Sequence, residues 1–118
     1  MTIITFTGHR DVVPNPEQLD EISRMYPDAL WIQGGAEGVD SIVEIYCETY
    51  HIRHLTIRPD YRRYGGKAAP IARNREMVDA CDLVIAFWDG RKHGGTWFTI
   101  EYAREQGKEV KLYEPMRA

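Results

Sequence analysis

Five short runs along the chain, residues 3–6, 29–32, 54–57, 82–87 and 110–113, are dominated by apolar and β-branched side chains. Runs of that length, bounded by glycine, proline or charged residues, read as strands buried on both faces. Between them the apolar positions recur every third or fourth residue, the period of an amphipathic helix. Leu19, Ile22 and Met25 mark the first helix, which Pro27 ends. Val39, Ile42, Val43, Tyr46 and Tyr50 form one face of the second, with Ser41, Glu44 and Glu48 opposite. The third opens at Pro70 and runs to Ala80. Laid out at about 100° per residue, it buries Ile71, Met77, Val78 and Cys81, with Asn74 in their middle. The fourth covers residues 96–106, buries Thr96, Thr99, Ile100 and Ala103, and closes on Gly107 as a C-cap.

Strand and helix in alternation predict an α/β protein: a Rossmann-like three-layer sandwich around a five-stranded parallel sheet. Right-handed crossovers favour the strand order 3-2-1-4-5, with the switch point between the first and fourth strands. Three turns, residues 7–10, 34–38 and 89–95, each follow a strand, so this topology brings them to one edge. Residues 12–15 are expected to be loop, because Pro14 and Pro16 oppose regular pairing. The longest irregular stretch is 59–69, with Tyr61, Tyr64, Gly65 and Gly66, and loops of that length in a small domain are commonly functional.

Composition narrows the class. A chain of 118 residues with 43% hydrophobic and 28% charged residues is one ordinary globular domain, spanning 1–118. Its net charge is −3, yet Arg58, Arg62, Arg63, Lys67, Arg73 and Arg75 gather in one segment. A mildly acidic protein with one basic segment suits a small anion better than a long phosphate backbone, so nucleic acid is not the expected partner. The N-terminus has neither a basic leader nor a long apolar stretch, which predicts a cytoplasmic protein without a membrane segment. Cys47 and Cys81 lie in apolar helical patterns without metal-ligand spacing and read as reduced core residues. Neither a metal nor a cofactor is expected.

The chemistry concentrates in the turns. Gln33-Gly34-Gly35-Ala36-Glu37-Gly38-Val39-Asp40 lets the backbone bend with positive φ and come close to a ligand, and the helix that follows offers free N–H groups to a phosphate. Thr7, Gly8, His9 and Arg10 after the first strand, and Gly94, Gly95, Thr96 and Thr99 at the fourth helix, complete the expected anion site. His9 and His93 stand in glycine turns where a neutral ring could bond a ribose or phosphate oxygen. Asp40 caps its helix or bonds a sugar hydroxyl. Asn74, on a buried face, must find partners, while Arg73 and Arg75 flank that face on opposite sides; either an arginine reaches the phosphate or both make surface ion pairs. Glu101 is the nearest candidate for general acid or base, but the helical layout groups it with Arg104 and Glu105 on the far side. Trp97, Phe98 and Tyr102 form an aromatic flank, either a subunit contact for a homo-oligomer or core.

Thr7-Gly8-His9-Arg10, Gly34-Gly35-Ala36-Glu37-Gly38-Val39-Asp40, Arg73-Asn74-Arg75-Glu76-Met77, and Gly95-Thr96 through Thr99 to Gln106-Gly107-Lys108-Glu109-Val110, in this order, resemble the SLOG superfamily. That group joins the DNA-processing proteins DprA/Smf, the LOG phosphoribohydrolases and small YspA-like proteins. The resemblance is greatest to the YspA-like branch and covers nearly the whole chain. It implies a domain that binds a nucleotide or nucleotide-derived ligand, such as an ADP-ribose relative, across the three turns. The LOG enzymes cleave a nucleoside monophosphate at its N-glycosidic bond with an arginine and a glutamate, which would correspond here to Arg75 and Glu101. Glu101 stands five residues after Thr96 instead of three, and the proline of the enzymes' turn is missing. DprA-like proteins bind single-stranded DNA. The leading expectation is therefore a sensor or sequesterer of a nucleotide-derived molecule, with a nucleotide N-glycosidase as the enzymatic alternative and single-strand binding as a second.

Overall fold

The computed structural model describes residues 1–117. In chain order the elements are β1 (Ile3–Gly8), β2 (Val12–Val13), α1 (Pro16–Met25), β3 (Leu30–Gln33), α2 (Val39–Thr49), β4 (His54–Thr56), α3 (Tyr61–Tyr64), α4 (Ala68–Ala80), β5 (Leu83–Phe87), α5 (Gly94–Glu105), β6 (Glu109–Tyr113) and β7 (Met116–Arg117). Five strands make one parallel sheet in the order β4-β3-β1-β5-β6. With the two-residue strands β2 and β7 set apart, this is the 3-2-1-4-5 winding, and it reverses between β1 and β5.

Successive residues of a strand point to opposite faces, and both faces are covered at the central strands β3, β1 and β5, whereas Leu55 of β4 and Leu112 of β6, expected to be buried, are exposed. Ile4 and Phe6 of β1, Trp31 of β3 and Leu83, Ile85 and Phe87 of β5 pack with Leu19 and Ile22 of α1 and Val39, Val43 and Cys47 of α2. Val84 faces the other way, into a smaller cluster with Val78, Cys81 and Ala103 beside α4 and α5. Every residue of β5 is buried, which is why that strand shows no polar alternation. On the second face the Thr5 hydroxyl is fully buried and donates to the Met77 carbonyl at 2.8 Å, tying β1 to α4. Helix α1 starts at a capping box: Asn15 accepts from the Glu17 amide at 2.9 Å and Gln18 accepts from the Asn15 amide at 3.0 Å.

Several expectations need correction. Residues 12–15 are not all loop, because Val12 and Val13 pair antiparallel with Arg117 and Met116. Two residues carry no readable period, and their partners lie at the other end of the chain. Within 59–69, Asp60 accepts from the Arg63 amide at 3.1 Å and starts the single turn α3. Helix α4 begins at Ala68, ahead of Pro70; a proline in a first turn removes no helical hydrogen bond. Helix α5 likewise begins at Gly94 and not at Thr96. Ile71 is exposed, and Ala69, Asn74, Met77 and Val78 form the buried side of α4. Tyr50 is exposed at the C-cap of α2, where its ring meets that of Tyr46 at 4.6 Å, and Cys47 holds the core position instead. Both cysteines are buried and free. Among the described residues no helix is long and apolar enough to cross a membrane.

Candidate functional site

At the carboxyl ends of the strands, the turns after β1, β3 and β5 surround a crevice of about 380 Å³. The β1 turn contributes Thr7, Gly8, His9 and Arg10, the β3 turn Ala36 and Asp40, and the β5 turn His93, Gly94, Gly95 and Thr96. Helix α4 supplies the remaining wall with Pro70, Arg73, Asn74 and Met77, while Asp11 and Arg91 stand at the margin. A second groove of about 400 Å³ shares Arg10, Ala36, Pro70 and Arg73 with the first and continues past Gly34 and Gly35 to Arg58, Pro59 and Tyr61.

Two glycines hold the first and second turns together. A Cβ on Gly8 would lie 2.3 Å from Val39 Cγ2. Gly38 has φ +76°, and a Cβ there would lie 2.6 Å from the carbonyl oxygens of His9 and Arg10. The Gly8 backbone therefore packs on the Val39 side chain and the Gly38 backbone on that of the first turn, approaches that a Cβ would block.

The β3 turn is not the anion nest that its glycines suggest. The amides of Gly34 and Ala36 both donate to Asp40 Oδ2 at 3.1 Å, and the Gly35 amide donates to Gln33 Oε1 at 2.6 Å. All three donors are engaged from within the chain. Gln33 is itself fully buried and fixed, donating to Thr56 Oγ1 at 2.5 Å. Asp40, only 7% exposed, lies in the first turn of α2 and supplies the negative charge that this helix start attracts. Burial pushes its carboxyl up to about 6, against the opposing pull of the two amides and of Arg73.

The start of α5 differs. His93 at the N-cap makes no side-chain cap bond, and the first turn holds no acidic residue. Gly94 has φ +89° with open space where a Cβ would stand, and at Gly95 the one near atom is Asn74 Nδ2, 3.6 Å away. Gly94, Gly95 and Thr96 of this first turn line the crevice, and among the described residues no side chain caps the helix start, an arrangement suited to phosphate.

Arg73 and Asn74 stand between the two turns. Arg73 donates through Nη1 to the Gly34 carbonyl and through Nε to Asn74 Oδ1 at 2.8 Å. These bonds orient the guanidinium and leave the Asn74 amide nitrogen toward α5. At the margin His9 Nε2 lies 3.1 Å from Asp89 Oδ1. Burial, then the charge of Arg91, lowers the His9 pKa, so the ring is neutral at pH 7. Arg91 contacts both oxygens of Asp11, at 3.0 and 3.1 Å, and pairs with Asp89 at 2.5 Å, linking the first and third turns from outside.

The structure thus brings together Thr7, Gly8, His9, Arg10, Ala36, Asp40, Arg73, Asn74, Gly94, Gly95 and Thr96. Gly34 and Gly35 border the adjoining groove, and Gly38 lies behind the wall. Three expected residues are elsewhere. Thr99 is fully buried and donates to the Gly95 carbonyl at 2.9 Å. Arg75 lies over the rings of Phe98 and Tyr102, at 5.5 and 5.9 Å from their centres, on the outer flank of α4. Glu101 borders neither groove. The aromatic flank is occupied within the chain: Trp97 stacks on Trp88 at 5.2 Å, and Phe98 stacks on Tyr102 beneath Arg75. Arg58 and Tyr61 were missed as wall residues, although both belong to stretches whose charge and length marked them out. Asp11 and Arg91 carried no signal beyond the turn-forming Asp89-Gly90.

No protein-family model and no curated protein matches the chain. Fold and crevice define its class: a Rossmann-like α/β domain with a polar, cation-walled cleft at the strand tips.

Proposed function

We propose that the protein binds a nucleotide or nucleotide-derived small molecule in this crevice, as a sensor or sequesterer. The observation that carries the reading is the start of α5, which lines the cleft with neither a side-chain cap nor an acid in its first turn, in the same cleft as the oriented guanidinium of Arg73. A phosphate there would accept from the α5 amides and from Arg73, and Asn74 would order the sugar. Calorimetric titration with AMP, ADP-ribose and NAD tests this, and heat of binding is expected from at least one of them. Folded protein that takes up none of the three would sink the reading.

A nucleotide N-glycosidase is the second reading, and one observation favours it. Asp40 is a buried carboxyl in the cleft wall with a pKa raised to about 6, the property of a group that exchanges protons near neutrality. Enzymatic action predicts release of free base from a nucleoside monophosphate, lost in Asp40→Asn and kept in Glu101→Ala. Intact nucleotide after prolonged incubation would leave binding alone.

A further inference from the structure

We infer that a ligand anion enters the crevice together with a proton, which Asp40 takes up, so that binding is tighter in mild acid than in mild alkali. This rests on the anion site proposed above and adds its control by pH, whatever organic group the anion carries.

Asp40 is placed to do this by its neighbours. It borders the crevice beside Arg10 and Arg73, and among the described residues neither arginine forms an ion pair with it. Arg73 donates instead to the Gly34 carbonyl and to Asn74 Oδ1. The bonds that Asp40 does accept come from the amides of Gly34 and Ala36, and both reach the same oxygen, Oδ2. Among the described residues nothing donates to Oδ1, so that oxygen can carry a proton while the turn stays closed. The charges that face the carboxyl are Arg73 from α4 and Arg10 from the β1 turn, while the β3 turn faces it with the two amides.

Both arginines also face the space that an anion would fill. An anion there adds negative charge close to a buried carboxylate and draws on the two guanidinium groups that help to keep it ionised. Each effect favours the protonated acid. Asp11, the other carboxyl at this crevice, is paired with Arg91 at 3.0 Å, a contact that lowers its pKa and keeps it charged. Asp40 is therefore the group that yields. Without ligand its pKa stands at about 6, so a further rise brings the exchange to neutral pH. Coupling between proton and ligand is reciprocal. An anion that raises the pKa of Asp40 binds more tightly to the protonated protein, and the gain is lost as the pH climbs through the pKa of the complex.

The test is calorimetric titration of the wild type and of Asp40→Asn with ADP-ribose and NAD, whose phosphates stay ionised throughout, and with AMP, between about pH 5 and 8 and in buffers of different ionisation enthalpy. The Asp40 carboxyl resonance of the wild type is followed by NMR with and without each compound. Wild-type protein is expected to take up part of a proton on binding, to lose about tenfold in affinity across this range, and to show an Asp40 pKa raised to about 7 in the complex. Asp40→Asn, neutral at every pH and still able to accept from both amides, is expected to keep its affinity up to pH 8 apart from the contribution of His9 and His93. An Asp40 resonance that titrates alike with and without bound compound would overturn this inference and leave the nucleotide reading intact, a result read on the wild type whether or not the variant folds. Wild-type pH dependence in Asp40→Asn would assign the proton to a histidine and overturn the inference too. No binding by any of the three compounds would overturn both readings together.

Discussion

The turns after β3 and β5 have the same outward design, a pair of glycines between a buried strand and a helix at the carboxyl edge of one sheet, yet they do opposite things. After β3 the amides of Gly34, Gly35 and Ala36 are taken by Asp40 and Gln33, so the turn is a closed unit. After β5 the helix begins without a side-chain cap and without an acid in its first turn. A carboxylate at the start of α2 supplies what a bound anion would supply at the start of α5. Glycine permits the backbone to bend, but the acceptors within reach decide whether its amides remain for a ligand. The turn after β3 closes on itself, and the turn after β5 leaves its helix start without a side-chain cap.

The sharpest way to break that contrast is at Gly38, which belongs to the turn after β3. With φ at +76° and two carbonyl oxygens 2.6 Å from the position of a Cβ, Gly38→Ala combines backbone strain with a clash that no flexible side chain can relieve. Each is worth about 2 kcal/mol, giving a loss of about 4 kcal/mol. Chemical denaturation should show this as a lower midpoint with the slope kept. A variant as stable as the wild type would mean that the β1 and β3 turns do not depend on backbone contact.

Asp40 makes the next largest prediction, through pH. Its carboxyl ionises near 3.8 in the unfolded chain and at about 6 in the folded protein. A raised folded-state pKa means that the native state holds the proton more tightly, so this group's contribution is fully present below pH 4 and is lost as the pH rises through 6. Two pKa units correspond to about 3 kcal/mol. Asp40→Asn, which resembles the protonated form, should remove this component: its melting temperature, set against that of the wild type, should gain between pH 4 and 7. Parallel pH profiles for the two proteins would show that Asp40 is not a buried carboxyl at all.

The turn after β5 predicts the opposite sign. Gly95 is helical with no positive φ, and a methyl group there meets only ordinary contact with Asn74. Gly95→Ala should raise stability by about 0.5–1 kcal/mol while weakening AMP, because the methyl group would stand at the mouth of the proposed phosphate site. Reduced stability with unchanged AMP affinity would exchange the roles assigned to the two turns.

Much of this arrangement was legible along the chain. The periods of the strands and helices and the right-handed crossover rule place the β1, β3 and β5 turns at one edge, and a polar Asn74 inside an apolar stripe marks α4 as part of the site. What could not be read depends on partners distant in sequence. Arg73 and Arg75 flank the stripe equally, and the packing of α4 against the sheet is what turns Arg73 toward Gly34 and Arg75 toward Phe98 and Tyr102. The capture of the Gly34 and Ala36 amides by Asp40 depends on a side-chain orientation that no spacing specifies. Pairing of Val12 with Arg117 joins two ends of the chain across strands too short to carry a period.

The smallest effect is expected at the margin, where Arg91 joins Asp11 and Asp89 in solvent. Exposed ion pairs are screened and bought at the cost of side-chain freedom, so Arg91→Met should shift the melting temperature less than any of the changes above, and less again in high salt. Its clearer signature is local. The Arg91 charge is one of the causes that lower the His9 pKa, second to burial, and Arg91 also engages the carboxylate 3.1 Å from His9 Nε2. Removing the cation should therefore raise the His9 pKa, a shift read from its imidazole resonances in an NMR titration. An unmoved His9 would place Arg91 too far away to act on the crevice. A loss of stability as large as that of Gly38→Ala would mean that the charges joining the first and third turns matter as much to the fold as the backbone packing that joins the first and second.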